Sequence, residues 1–438
     1  MNVPEPGDSS RFSFVLVNRL IRHKVVQNAA LMYVVQFSSY IFPLIALPYL
    51  QRVLSVEKFG LVAFAQTFIW YFLTVTEYGF NLTATRSIAI ARESPDEVSR
   101  IFSEVMVAKL LLTGVGFLAL CISVLAAPVL RRDALLYMVT FFSVLGNLLF
   151  PLWLYQGMQK MEHVALRDFV TKLLALAALF VFVRKDSDYL FAAAAQSGAL
   201  FISGIVGLWT VRRIGIEFRR PSWRGVRDQF RAGWPAFLSL ATSAGAGVTN
   251  AFLLGLRAPA EVAYFTGAQR IIAAMRSMVA PISTAVYPHT SQKAVKSERE
   301  VVAFVHKYVW MFTAPFLAAG IFLLVASPWV VPTYMSAKYR PTVVPMQIMA
   351  LIPALFCLTQ GYSTHFMLAC GYDKPWMKIM LTTVIVNFAV LIPAMMFLRG
   401  SVAVALTALV VEGVGTLLYY LFYRRRSREL HNNPAEGS

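Results

Sequence analysis

A succession of apolar stretches, each roughly twenty residues long, runs almost from one end of this chain to the other. A helix rises about 1.5 Å per residue, so each stretch can cross a hydrocarbon layer about 30 Å thick. Inside lipid, every backbone N–H and C=O must be satisfied by the protein itself, which leaves only helices and closed barrels. The runs are much longer than barrel strands of about 10 residues. The sequence therefore predicts an all-α integral membrane protein with about twelve transmembrane helices. Spans are expected at 25–54, 59–84, 102–127, 133–157, 164–183, 188–211, 231–256, 261–288, 303–326, 342–369, 376–398 and 401–423. The connecting loops are too short to form a soluble catalytic domain.

Composition agrees with a bilayer as the main solvent: 58% of the 438 residues are hydrophobic and 14% are charged. The net charge of +18 follows from topology, because Lys and Arg accumulate on the cytoplasmic side of membrane proteins. One basic cluster, Arg212, Arg213, Arg219, Arg220, Arg224, Arg227 and Arg231, lies mid-chain, and Arg424, Arg425, Arg426 and Arg428 lie near the end. Six spans separate the clusters, so both fall on one side and the expected orientation is N-in, C-in. A nucleic-acid partner is not needed to explain the charge. Residues 1–24 read as a polar, basic cytoplasmic tail without a small-residue cleavage site, and 424–438 as a second tail. Cys121, Cys357 and Cys370 have no metal-ligand spacing and read as small packing residues, so neither a disulfide framework nor a metal cofactor is expected.

The basic stretch 212–230 divides the spans into an N-lobe, 25–211, and a C-lobe, 231–423. Six spans in each half give both the same orientation, as in a parallel repeat about an axis along the membrane normal. Two short echoes fall at matching ordinal positions. Phe59–Gln66 (FGLVAFAQ) opens the second span and Val262–Gln269 (VAYFTGAQ) the eighth; Leu154–Lys160 (LYQGMQK) ends the fourth and Leu368–Lys374 (LACGYDK) the tenth. Two lobes around a central cleft suit alternating access to a site near the midplane. Pro43, Pro48, Pro151, Pro281, Pro345 and Pro353 each remove a backbone hydrogen bond and mark candidate bends.

Few ionisable residues lie within the spans. An ion facing lipid costs about 2.5–3.5 kcal/mol on insertion scales, so each must face a cavity or a partner. Arg270 and Arg276 lie in the eighth span, Glu77 and Arg86 in the second, Lys109 in the third, Arg167, Asp168 and Lys172 in the fifth, and Glu412 in the last. Asp168 and Lys172 are one helical turn apart and are expected to pair, as are Arg100 and Glu104. Glu412 has no evident partner and reads equally as a proton site or a packed neutral carboxyl. Glu77, Glu412 and Asp168 are the candidates for ion coupling. Arg270 and Arg276, six residues apart, diverge by about 120° around the helix axis, so at least one should face a polar interior. A guanidinium in a wet cleft matches a phosphate or diphosphate by bidentate hydrogen bonding. The alternative for Arg270 is a structural pair with an acid on another helix, such as Glu77. No Walker loop or nucleophile elbow is present, so transport would draw on an ion gradient, the membrane potential or the substrate gradient.

At Glu77–Arg86 (EYGFNLTATR) the chain resembles the Wzx-type polysaccharide flippases of the multidrug/oligosaccharidyl-lipid/polysaccharide exporter superfamily. Gly157 and Lys160 after the fourth span, the length and the six-plus-six layout are similar to that family. The resemblance implies a flippase of the bacterial inner membrane, without a cofactor and monomeric. It would carry an undecaprenyl-diphosphate-linked oligosaccharide to the periplasmic leaflet, with polymerase and chain-length machinery as expected partners. In the related lipid II flippases an arginine near the start of the eighth helix helps hold the diphosphate, and Arg270 matches it. Those flippases carry first-helix arginines where this chain has Gln36, Ser38, Ser39 and Tyr40, so Arg52, Lys109 and Arg276 are the candidate substitutes, and Arg86 is a further candidate for substrate binding. Gln66, Asn81 and Gln269 are candidate sugar contacts, with Trp70, Tyr71, Asn147, Trp153, Asn250 and Gln360 as further lining. The competing readings are an exporter of small cations, which needs an acidic cavity, and a membrane-embedded polysaccharide polymerase or ligase, which usually has a large outward loop.

Overall fold

A computed structural model describes the backbone of residues 41–432, with the side chains of all of these except 239–248 and 285. Part of the first expected span, with Gln36, Ser38, Ser39 and Tyr40, lies outside the described residues. The described chain is helical throughout, without strands. Its helices are α1 (Ile41–Val53), α2 (Val56–Glu77), α3 (Phe80–Ala91), α4 (Pro95–Ala126), α5 (Pro128–Arg131), α6 (Ala134–Leu149), α7 (Leu152–Gly157), α8 (Met161–Phe182), α9 (Tyr189–Arg213), α10 (Trp223–Arg257), α11 (Pro259–Ser277), α12 (Val279–Lys296), α13 (Glu298–Tyr334), α14 (Val343–Met349), α15 (Ile352–Tyr362), α16 (Asp373–Phe397) and α17 (Gly400–Asn432).

Eight helical segments are long and apolar enough to cross a membrane, and a ninth is the bent pair Pro259–Thr284 and Val286–Lys296, which changes direction by 45°. Helix α8 falls short of that standard for a visible reason, since Arg167, Asp168 and Lys172 interrupt its apolar run. Helix α10 opens with Arg224, Arg227, Asp228 and Arg231. Helix α10 begins at Trp223, within the stretch read as a linker, and its first turns pack on the N-terminal half through Val226. Upstream of it, the basic loop is tied down: the Arg219 amide donates to Ser103 Oγ at 2.8 Å, and Ser222 Oγ donates to buried Glu104 at 3.3 Å.

The EYGFN motif is a helix break. Tyr78 and Gly79 both take left-handed backbone conformations, with φ of 44° and 78°, and separate α2 from α3. At Gly79 a Cβ would lie 2.6 Å from the Cβ of Ala236 on α10, so both the dihedral and the close approach require glycine. Several prolines also sit at junctions: Pro151 precedes α7, Pro281 lies in the first turn of α12, and Pro353 opens α15. Proline is tolerated there because first-turn N–H groups have no helical acceptor.

The apolar packing is divided unevenly. Toward one membrane face a single core joins both halves of the chain, running from Leu54, Phe59, Leu136 and Val183 to Val262, Val331, Tyr339 and Val404. Toward the opposite face there are two separate cores. One, around Phe80, Phe102, Trp153 and Tyr155, is built from the N-terminal half with the start of α10. The other, around Val305, Tyr362, Phe366 and Tyr423, belongs to the C-terminal half. The halves thus share one core at one face (the welded face), whereas at the other each has its own core and the described contact between them runs through α10, where Tyr78 stacks on Phe237 and Gly79 meets Ala236.

Candidate functional site

Helices α2 and α11, the bearers of the FGLVAFAQ and VAYFTGAQ echoes, pack directly on each other. At Gly60 a Cβ would lie 1.9 Å from the Pro259 carbonyl oxygen, so the two backbones meet with no room for a side chain. About one and a half turns deeper the contact turns polar: Arg270 Nη2 donates to Gln66 Oε1 at 3.0 Å, and Gln66 Nε2 donates to Gln196 Oε1 at 2.8 Å. This chain of side chains lies along a cavity of about 510 Å³ between α1, α2, α8, α9 and α11. The space exists because small residues, Ala175, Ala192, Ala273, Ala274 and Ser277, face it from three helices. Its walls are mainly apolar. Arg270, Gln66, Gln196, Thr171, Lys172 and Asp168 give it polar character.

Arg270 is half-buried, and among the described residues no carboxylate lies in salt-bridge range of it; the face of Phe59 is 5.9 Å away. Glu77 is not its partner. That carboxylate accepts from Asn81 Nδ2 and Asn147 Nδ2, each at 2.9 Å. Buried Lys109 closes the same network, donating to Asn147 Oδ1 at 3.0 Å and to its carbonyl at 3.1 Å. Glu77, Asn81, Asn147 and Lys109 therefore form one polar cluster that joins α2, α3, α4 and α6 away from the cavity.

The other expected site residues fall in different places. Arg276 turns toward α17, where its guanidinium lies 3.6 Å from Glu412 and 4.2 Å over the Phe356 ring. Glu412, which the sequence left without a partner, is thus paired. Asp168 and Lys172 pair with each other, and both line the cavity. Arg52 is exposed at the welded face, where it donates to the Thr333 carbonyl at 3.0 Å. Arg86 is exposed on α3, and Gln269 is half-buried outside the cavity lining. Trp153 is fully buried in the N-terminal core, and Asn250 exchanges hydrogen bonds with Asn387 at 2.8 and 2.9 Å. Gln360 accepts from Thr364 at 2.7 Å, and Tyr71 donates to Thr249 at 3.0 Å. Gln196 was missed. Its one signal is a lone amide in the alanine-rich run Ala192–Ala199.

The welded face is held by a latch between the halves. Lys338 Nζ donates to the Arg52 and Leu54 carbonyls at 3.2 and 2.5 Å, Tyr334 Oη donates to the Leu44 carbonyl, and Phe59 meets Tyr339 edge-on. Among the described residues no group of three His, Cys, Asp or Glu is arranged to hold a metal ion.

The fold defines a helical, membrane-spanning protein with a cavity between its helices, and comparison with known proteins specifies its family. The family described as "Polysaccharide biosynthesis protein" matches residues 25–294, and the chain belongs to it. The chain is 30% identical over 403 residues to the "Putative O-antigen transporter" of Escherichia coli (strain K12), covering 91% of this chain and 96% of that protein. Its fold matches that of the lipid II flippase MurJ in an inward closed conformation, with a TM-score of 0.71 at 12% identity over 90% of this chain and 87% of that one. It also matches an inward-facing MATE family transporter of the MOP superfamily, with a TM-score of 0.67 at 15% identity over 91% and 99%. The resemblance read from EYGFNLTATR holds at the level of family and fold.

Proposed function

We propose that the protein is a flippase that moves an undecaprenyl-diphosphate-linked oligosaccharide from the cytoplasmic to the periplasmic leaflet by alternating access. The observation that carries this reading is Arg270, a guanidinium that lines the cavity between α1, α2, α8, α9 and α11 and is engaged by an amide instead of an acid. A neutral partner leaves its charge uncompensated, so the cavity favours an anion, and a diphosphate matches the planar fork of donors. At about 510 Å³ the space is within the range of sites that enclose small ligands and is large enough for the diphosphate and the first sugars. The prenyl tail needs no polar shelter and stays in lipid. The O-antigen transporter relative, the lipid II flippase fold and the family match support the substrate class.

In this reading the chain has twelve spans, made up of the eight apolar segments, the bent pair, α1, α8 and α10, arranged as two six-helix lobes oriented N-in and C-in. The single core and its latch then lie at the periplasmic face, and the two separate cores at the cytoplasmic face. That places the cavity in an inward-facing protein, ready to receive substrate from the leaflet where lipid-linked glycans are built. A polymerase or chain-length partner would act on the product outside. The cation-exporter reading is disfavoured, since Asp168, the one acid among the described cavity residues, is already engaged by Lys172.

The test is reconstitution of the purified protein into liposomes with a defined prenyl-diphosphate glycan, scoring translocation with and without a proton gradient. Arg270→Ala should lower the rate at least about tenfold, the equivalent of one charge-assisted hydrogen bond of about 1.5–3 kcal/mol. Arg270→Lys should recover part of it, and both variants should reach the membrane at normal levels. Wild-type transport by Arg270→Ala would remove the diphosphate site from this cavity.

A further inference from the structure

A second site lies far from the central cavity, where the start of α13 and the end of α17 meet at a membrane face. The two helices are braced there by two hydrogen bonds, from Tyr423 Oη to the Val302 carbonyl at 3.1 Å and from Arg299 Nη2 to the Leu430 carbonyl at 2.5 Å. Beside these braces opens a crevice of about 920 Å³ whose charged and titratable lining, among the described residues, is Arg299, His306, Arg428, His431 and the Tyr423 phenol, without a carboxylate among them.

The nearby acids among the described residues are already engaged by other cations. Glu298 pairs with Arg426 at 3.4 Å, Glu300 with Lys293 at 3.4 Å, and Glu429 with Arg425 and Arg426 at 3.0 and 3.1 Å. Among the described residues no carboxylate lies in salt-bridge range of Arg428. The N-terminus of one helix and the C-terminus of the other meet at this level, so their end charges oppose each other and the crevice takes the sign of its side chains.

The crevice also has a direction. Arg299, Ala303, His306 and Trp310 recur at helical spacing on one face of α13, and Trp310 is 58% exposed. Deeper along the same helix, Leu317 and Ile321 are exposed, and on α17 Leu417, Tyr420 and Leu421 are exposed as well. A cationic pocket at headgroup level, an aromatic one turn below it and an apolar strip beneath follow the layers of a phospholipid from phosphate to acyl chain.

We propose that this crevice is a binding site for an anionic phospholipid of the surrounding membrane, its phosphate held by Arg428 and Arg299 and its chains lying along the strip below Trp310. The site is independent of the flippase reading, and its test has no transport readout. Thermal unfolding of the full-length detergent-solubilised protein is followed with added phosphatidylglycerol, phosphatidylethanolamine or inorganic phosphate. Phosphatidylglycerol should raise the midpoint by about 2–4 °C, and the other two should not. Arg428→Gln/His431→Gln should lose most of that shift, whereas Arg220→Gln/Arg224→Gln, in the other basic cluster, should keep it. Native mass spectrometry of the folded fraction should show one phosphatidylglycerol fewer on the first double variant, which decides the matter even if that variant is less stable. An undiminished shift in Arg428→Gln/His431→Gln, an equal loss in the control variant, or an equal effect of phosphatidylethanolamine would overturn the proposal. Equal stabilisation by inorganic phosphate would point to a soluble anion in place of a lipid.

Discussion

Arg270 and Arg276 share a helix and a residue type, yet their surroundings give them different chemistry. Arg270 meets an amide at the edge of a cavity, and Arg276 meets the Glu412 carboxylate beside an aromatic ring. The contrast makes two predictions. Gln66→Glu keeps the shape of the side chain but places a carboxylate against Arg270. It should leave thermal stability unchanged or higher and abolish transport, because the substrate must then displace an ion partner. Normal transport by that variant would show that the Arg270–Gln66 contact is not at the binding site. For the second pair, Arg276→Ala leaves Glu412 without its cation, and Glu412→Gln removes the opposing charge. The double variant should therefore unfold at a higher temperature than Arg276→Ala alone, with a coupling of about 0.5–3 kcal/mol in a double-mutant cycle. A coupling near zero would mean that the 3.6 Å approach contributes nothing.

Two glycines set how the helices assemble. Gly60 allows α2 and α11 to touch backbone to backbone, and Gly79 completes the left-handed break between α2 and α3 while lying against α10. Gly60→Val should wedge the halves apart at the welded face, lowering both the unfolding temperature and transport. Gly79→Ala combines a strained dihedral with a clash against Ala236 and should cost about 1–3 kcal/mol of stability. If Gly79→Ala unfolds at the wild-type temperature, the break is not a fixed feature of the fold. The break also gives the family-like motif a physical meaning. Tyr-Gly turns the chain, and the flanking Glu77 and Asn81 bond to each other across the turn. Spacing alone shows an acid and an amide four residues apart, but it does not show that Asn147 and Lys109 come from other helices to complete their network.

For the molecule as a whole, the asymmetry of one core at one face and two at the other predicts a direction of access. In a background lacking Cys121, Cys357 and Cys370, Ser277→Cys should react with a membrane-impermeant maleimide from the cytoplasmic side only. A reducible cross-linker between Arg52→Cys and Lys338→Cys should hold the latch shut and stop transport until it is cleaved. Labelling of Ser277→Cys from outside, or full transport with the cross-link intact, would contradict an inward-facing resting form. Lipid-exposed residues such as Phe117, Phe322 and Phe397 account for much of the apolar composition, so hydropathy locates the membrane but not the cleft.

The amino-acid sequence by itself determined that the chain is helical and membrane-embedded, where most spans lie, that two stretches echo each other, and which few ions cannot face lipid. These follow from local chemistry: apolar runs, charge placement and the cost of an ion in hydrocarbon. Only the tertiary structure decided which of those ions meet. Arg270 went to Gln66 and Gln196, Arg276 to Glu412, and Glu77 to Asn147, because each choice depends on helix rotation and on small residues that leave space between distant segments. Partners 70 to 204 residues apart are brought together by packing, which spacing along one helix does not encode.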